Sequence, residues 1–134
     1  MESENVHGAS EAGSEEDLWM IVAVIQPFKL DAVTLALEAI PNFGGMTVSE
    51  CRGFGKEKVV RESSRTHEQN AGLVDFTVKT RVECAVSGAL GAEAVMEAIV
   101  KAAHTGNRGD GKLLAWPISR AVRLRTFEEG VRAL

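Results

Sequence analysis

The chain of 134 residues has no tyrosine, only two cysteines and no apolar run long enough to span a membrane. Cys51 and Cys84 lie far apart, and neither has a Cys-x-x-Cys or Cys/His spacing, which excludes the usual zinc and dithiol motifs. Both are expected to be buried free thiols, because unpaired cysteine behaves as a small hydrophobe. The N-terminus lacks the apolar segment of a secretory signal. A reducing cytoplasm is therefore the expected location.

Basic residues are missing from residues 1–17, which contain six acidic ones. The whole chain carries −4 and these residues −6, which leaves +2 for the remainder. A nearly neutral body has no broad basic face for duplex nucleic acid. The Glu, Ser and Gly composition of residues 1–17 predicts a disordered acidic tail. Residues 18–134 have the length of one domain that can bury a core without disulfides or metal.

Hydrophobic patterning predicts six regular elements. The clearest is a strand in which Val74, Phe76 and the even-numbered residues that follow alternate with polar ones. The predicted order is a central strand over 18–25, a helix capped by Asp31 and closed by Pro41, a strand over 46–52, the strand over 74–86, a helix over 93–104 and a strand over 112–118. A further helical turn is expected over 119–122.

This βαββαβ order is the split β-α-β arrangement of ferredoxin-like α+β sandwiches, in which one antiparallel sheet carries both helices on one face. The other face would be bare, and its apolar residues must pack against something. A homo-oligomer is therefore expected. Between the second and third strands, residues 56–72 are polar and charged, and a connection of this length is usually functional or mobile.

A glycine-rich loop at residues 105–112, with the sequence TGNRGDGK, is a candidate anion site. Its glycines allow close approach of the backbone, and consecutive backbone N–H groups in such a turn form an anion-binding concavity. Lys112 adds a charge suited to phosphate. The alternative is an ordinary turn, because Gly-Asp-Gly is common in turns.

Arg123 and Arg125 are two residues apart on a segment expected to be extended, so both can project from one face. Two guanidinium forks suit bidentate contact with phosphate. The alternative is a solvated strand face, where exposed arginines are usual. No pairing of a nucleophile with a base is visible, although a small ferredoxin-like enzyme that hydrolyses ATP or a phosphate ester remains an alternative function.

Five segments in this order resemble motifs of the PII nitrogen-regulatory signalling proteins. They are residues 25–31, 45–48, 53–55, 105–112 and 123–126. The resemblance in which they are distributed extends over essentially residues 20–130. The resemblance implies a homotrimer with a ferredoxin-like core and a long T-loop at about residues 56–72. It also implies that ATP and ADP compete for clefts between subunits and that the protein is not an enzyme. No resident metal is expected, because no histidine has a Cys or His partner at metal spacing.

The resemblance further implies that the arginines of one subunit complete a cleft on its neighbour. The residues that it assigns to the nucleotide are Thr47, Gly53, Phe54, Gly55, Lys56, Glu83, Thr105, Gly106, Arg108, Gly109, Asp110, Gly111, Lys112, Arg123 and Arg125. Phe127 stands where the family commonly has glycine, so the backbone of this loop is free to differ.

Glu57 replaces the glutamine that ligates Mg²⁺ in relatives that sense 2-oxoglutarate. A carboxylate can still ligate Mg²⁺, but its charge would repel the dicarboxylate. Lys79 matches the lysine that pairs with that ligand. By resemblance the chain is expected to bind adenine nucleotide, with Mg²⁺ as a companion, and to respond weakly or not at all to 2-oxoglutarate.

The T-loop is the expected contact with a target enzyme or membrane transporter, to which the protein would be recruited without inserting in the membrane. Its charged residues suit docking by folding on binding. The candidate partner-binding residues are Lys58, Arg61, Arg65 and His67. The absence of tyrosine excludes the uridylylation known in some family members.

Overall fold

The fold is one antiparallel sheet with two helices on one side, and the computed structural model describes residues 17–55 and 76–134. Within these ranges the regular elements are β1 (Leu18–Ile25), α1 (Leu30–Glu38), β2 (Thr47–Gly53), β3 (Thr77–Ser87), α2 (Ala89–Ala103) and β4 (Gly111–Ile118). Single 3-10 turns occupy Pro27–Lys29 and Gly130–Ala133. The order confirms the predicted ferredoxin-like arrangement. Neither α-helix in the described ranges has the length and hydropathy needed to traverse a bilayer.

The strand order across the sheet is β2-β3-β1-β4, and all three pairings are antiparallel. The continuous apolar run of β1 is explained by its central position, as the sequence predicts. β4 is an edge strand, which is where Pro117 is tolerated because a proline cannot donate to a second neighbour.

The core lies between the helices and one face of the two central strands. Ile21 and Ile25 of β1 and Val82 of β3 are at most 2% exposed. They pack in one cluster with Leu37 of α1 and Ile99 of α2. Apolar burial of this kind, at roughly 25 cal/mol per Å², is the main term that holds the helices on the sheet.

The two cysteines differ in environment. Cys84 is buried in the core, and this burial raises the pKa of its thiol to about 11, whereas Cys51 on β2 is only half-buried. Both are free thiols. The expectation of burial therefore holds for Cys84 and only in part for Cys51.

The second face of the sheet has an apolar half made by β1 and β4. Val22 lies opposite Leu114, and Met20 lies opposite Trp116. Leu114 and Trp116 are still 51% and 43% exposed. This is the bare face expected from the sequence, and the oligomer that would cover it stays a prediction.

Three predicted local features are wrong. Asp31 is not the cap of α1, because the chain enters that helix through the Pro27–Lys29 turn and Lys29 occupies the capping position. α2 begins at Ala89 rather than at residue 93, since Gly88 with φ 78° turns the chain directly into the helix. Residues 119–122 form no helical turn, and Val122 instead makes an isolated bridge with Glu129.

Candidate anion-binding site

The glycine-rich loop is closed by one carboxylate. Asp110 accepts hydrogen bonds from the backbone N–H of Thr105 at 2.8 Å, from that of Gly106 at 2.9 Å and from the Thr105 hydroxyl. These donors, led by the Thr105 hydroxyl, lower the pKa of Asp110 to about 2. The carboxylate of Asp110 thereby organises the turn, and its assignment to the nucleotide stays a prediction.

Glycine is required where the loop joins the sheet. Gly111 has φ +103° and lies opposite Ile25 at the start of β4. Gly106 and Gly109 also have positive φ, of 88° and 91°. Residues with side chains rarely adopt this conformation, so the loop shape is encoded by its three glycines.

Lys79, near the start of β3, reaches the same loop past the end of β1, which lies between β3 and β4. Its ammonium donates a hydrogen bond to the carbonyl oxygen of Gly109, and the residue is only 8% exposed. Burial lowers the pKa of Lys79, and Asp110 opposes that effect. A buried cation thus lies beneath a loop that carries two further cations, Arg108 and Lys112, which are exposed.

The end of β2 adjoins this corner of the sheet. The run Gly53-Phe54-Gly55 leaves β2 there, and the ring centroid of Phe54 lies 6.0 Å from that of Phe76, which precedes β3. The structure therefore brings the predicted Gly-Phe-Gly segment, Lys79 and the glycine-rich loop to one end of the sheet.

Thr47 and Glu83 are direct cross-strand partners on the open face of the sheet, farther from this end. The Glu83 carboxylate accepts a hydrogen bond from Nε of Arg81 at 2.6 Å, which fixes its position. These two candidate contacts for adenine or ribose are therefore adjacent, and their role stays a prediction.

Arg123 and Arg125 lie at the opposite end of the sheet. They follow Ile118, which pairs with Leu18, whereas the glycine-rich loop precedes Gly111, which pairs with Ile25. The eight residues of β4 between these ends span about 25 Å. Within one chain, the loop and the arginine segment are therefore attached to opposite ends of β4.

The segment that carries the arginines is a turn, so the extended geometry expected from the sequence is wrong. The N–H of Phe127 donates to the carbonyl of Arg123 at 2.8 Å, and Phe127 adopts φ 64°. The Arg123 guanidinium donates to the main-chain oxygen of Leu134, while its Nε is buried without a partner among the described residues. Arg125 is exposed.

A cavity of about 180 Å³ lies on the helix side of the glycine-rich loop, between α2 and β4. Its walls are mainly apolar, formed by residues such as Ile99 and Leu113, with His104 and Asp110 among the polar lining residues. Lys112 also lines this cavity, so it adjoins the glycine-rich loop, but most of its lining is apolar and suits a polyphosphate less well than the loop amides and cations do.

Several predicted site residues lie outside the described residues, and the structure adds nothing on them. They are Lys56, Glu57, Lys58, Arg61, Arg65 and His67, together with most of the acidic tail.

The internal support of the loop was not predicted from the sequence. The resemblance implies contact of Asp110 with the nucleotide and of Lys79 with 2-oxoglutarate or Mg²⁺, and neither expectation includes a bond within the loop. The only sequence signal for Asp110 is Thr105 five residues earlier, since threonine and aspartate often bridge a turn. No sequence signal links Lys79 to Gly109, because the two are 30 residues apart.

Comparison with known proteins gives one consistent family. Residues 18–128 match the family model described as nitrogen regulatory protein P-II. The chain is 43% identical over 114 residues to the nitrogen regulatory protein P-II of Azospirillum brasilense, an alignment that covers 85% of this chain and 97% of the relative. Its identity to the P-II protein of Rhodospirillum rubrum is 44% over the same length and coverage.

A solved structure agrees with this result. The crystal structure of Arabidopsis thaliana PII bound to citrate is similar with a TM-score of 0.69 and 31% identity. The match covers 88% of this chain and 92% of the plant chain. The fold and the sequence therefore point to the same relatives.

Proposed function

Because the chain belongs to the nitrogen regulatory P-II family, and so has a role in signalling, we propose that it is a non-enzymatic trimer that binds ATP or ADP between subunits and regulates a partner protein. Nucleotide occupancy would change the order of residues 56–72, which then bind or release the partner. A switch of this kind requires the nucleotide to bind its two states with different affinity.

The observation that carries the proposal is the separation of the glycine-rich loop from the two arginines by the whole length of β4. A triphosphate needs several positive groups around it. One subunit offers the loop with Arg108 and Lys112 but no nearby arginine pair. In the proposed assembly a second copy supplies Arg123 and Arg125, and the nucleotide binds at the interface between the two subunits.

The open face of the sheet supports the same assembly. Leu114 and Trp116 expose apolar surface on an edge strand, where packing against another copy would remove it from water. In a closed trimer every subunit contributes the same two surfaces. Each interface then pairs the loop side of one copy with the arginine side of the next.

Lys79 supports the expectation of a weak response to 2-oxoglutarate. Its ammonium is already engaged by the Gly109 carbonyl and is largely buried, so a dicarboxylate would have to break this contact before binding. Glu57 would add like-charge repulsion. Mg²⁺, where present, would arrive with the nucleotide phosphates, and Glu57 is the residue of this chain assigned to it.

The partner is proposed to be a target enzyme or a membrane transporter in contact with residues 56–72, on the strength of family membership. The proposal includes a cytoplasmic protein that is recruited peripherally to a membrane when its partner is a transporter. Lys58, Arg61, Arg65 and His67 would give the loop the charge with which it recognises an acidic surface.

Isothermal titration with ATP and with ADP tests the nucleotide site. Lys112→Gln and Arg125→Gln are each expected to weaken binding by about tenfold or more, because each removes a charged contact to phosphate. Lys101→Gln and Arg132→Gln remove exposed charges elsewhere and serve as matched controls. Equal affinity in all variants, or no nucleotide binding at millimolar concentration, contradicts the proposal.

Mixed oligomers test the shared site. When Lys112→Gln and Arg125→Gln chains are combined in equal amounts, about a quarter of the clefts in random trimers recover both wild-type halves. A site built within one chain recovers none. Release of inorganic phosphate from Mg-ATP, measured in the same samples, separates the signalling protein from an ATP-hydrolysing enzyme.

A further inference from the structure

Lys79 occupies an unusual place for a cation. It lies near the start of β3 on the open face, opposite Cys51 of β2, and it is 8% exposed. A buried charge is costly unless it is paired or hydrogen-bonded, so a lysine held here is expected to have a specific contact. That contact is the carbonyl of Gly109, which the ammonium reaches past the end of β1.

The contact fixes the orientation of one peptide unit. Because the peptide group is planar and trans, its C=O and N–H point in opposite directions. The carbonyl of Gly109 is turned inward to Lys79, so the N–H of Asp110 is turned outward, away from the buried ammonium. Outward N–H groups are the donors with which such a turn binds an anion.

This peptide unit turns through ψ of Gly109 and φ of Asp110. Glycine has the widest range of allowed backbone angles, so Gly109 itself does little to hold the unit in one orientation. The other side-chain hydrogen bonds of the loop join the Asp110 side chain to Thr105 and Gly106 and the N–H of Asn107 to the Thr105 hydroxyl, and none of them holds the Gly109 carbonyl. Lys79 is the group that holds it among the residues that the structure describes.

We propose that Lys79 is a positioning residue for the nucleotide phosphates, whose ammonium holds the Gly109–Asp110 peptide with its amide donor toward the ligand. The inference rests on the proposed nucleotide site and adds to it a residue that does not touch the phosphate. It also gives Lys79 a role that does not depend on 2-oxoglutarate.

Lys79→Met is the decisive variant, since it retains most of the apolar stem and removes the ammonium. We expect ATP and ADP to bind about tenfold more weakly, in line with the loss of a well-placed charged hydrogen bond. The backbone amides of residues 105–112 are expected to exchange faster with deuterium in the absence of nucleotide. Lys79→Arg restores a donor and is expected to recover part of both properties. Lys29→Met is the matched control on the surface.

The outcomes are distinguishable. A wild-type protein that binds neither nucleotide refutes the proposed function, whereas the exchange measurement still reports on the Lys79 contact. If Lys79→Met binds nucleotide as the wild type does, the inference is wrong, even when the variant melts at a lower temperature. It is equally wrong if the variant loses only affinity for added 2-oxoglutarate, because Lys79 would then be an effector ligand.

Discussion

Gly111 lies against Val24 so closely that a Cβ atom on Gly111 would be 1.7 Å from the Val24 carbonyl oxygen. The neighbouring atom belongs to the backbone of a central strand, so it cannot move aside without disturbing the pairing of β1 with β4. The same residue has φ +103°, which is unfavourable for any residue with a side chain. The junction between loop and sheet therefore accepts only glycine.

Gly111→Ala is expected to destabilise the protein by more than about 4 kcal/mol, or to prevent folding, because a clash and backbone strain act together. Urea denaturation followed by far-UV circular dichroism measures the loss. Gly91→Ala in α2 is the control: its Cβ meets nothing within 4 Å, and alanine should stabilise the helix by about 0.5–1 kcal/mol. An unchanged midpoint for Gly111→Ala would contradict the observed geometry.

Asp110 makes stability depend on pH in the acid range. Its folded pKa of about 2 is below the ordinary value of 3.8, so its contribution is complete above pH 3.8 and is lost as the pH falls toward 2. Asp110→Asn should melt at a lower temperature than the wild type near neutrality, and the difference should shrink as the pH falls. Calorimetry from neutral pH down to about pH 2 measures this difference in melting temperature. Asp31→Asn is the control for removal of a carboxylate. A constant difference across the range would show that the charge of Asp110 is not involved.

The apolar half of the open sheet face should control assembly. Trp116→Glu places a charge on surface that the proposed trimer buries, and we expect mainly monomers in sedimentation velocity at concentrations where the wild type is trimeric. Leu90→Glu on α2 is a control, because Leu90 is 85% exposed on the helical side and should not affect assembly. Trimers that persist in Trp116→Glu would place the interface elsewhere.

Phe127 carries backbone strain at an exposed position. It has φ 64° and is 82% exposed, so its ring contributes little burial to offset a left-handed conformation that costs about 1–2 kcal/mol. Phe127→Gly is expected to raise the free energy of unfolding by up to about 1 kcal/mol, after the extra chain entropy of glycine. Asn42 also has a positive φ, of 62°. The free energy of unfolding should rise less for Asn42→Gly, because asparagine tolerates the left-handed conformation better than phenylalanine does. If urea denaturation gives the same change in the free energy of unfolding for both substitutions, Phe127 is not strained as stated.

The strands and their order were predictable because a half-buried strand imprints a period of two on its sequence. Val82, Cys84 and Val86 face the helices as that period requires, and the continuous run of β1 matches its central place. Helix starts were less predictable. The entry to α2 depends on the positive φ of Gly88, and the entry to α1 depends on a 3-10 turn that no hydrophobic pattern marks.

The candidate site was likewise predictable from the sequence only in part. The glycines and cations of residues 105–112 were recognisable from composition, because few other residue types permit such a turn. The assignment of the nucleotide to residues such as Lys112 and Arg125 stays a prediction. The bent backbone around Arg123 was missed, since hydrogen bonds from Phe127 and to Leu134 override the apparent alternation of residues 122–126.

The sequence by itself determined the set of elements, the core faces and the presence of a glycine-rich loop, because these follow from local periodicity and from backbone sterics. Only the tertiary structure decided that the arginines lie at the far end of β4 and that Lys79 holds the Gly109 carbonyl. Both relationships join residues distant in the chain through the register of the strands. Local residue patterns do not specify such register-dependent contacts.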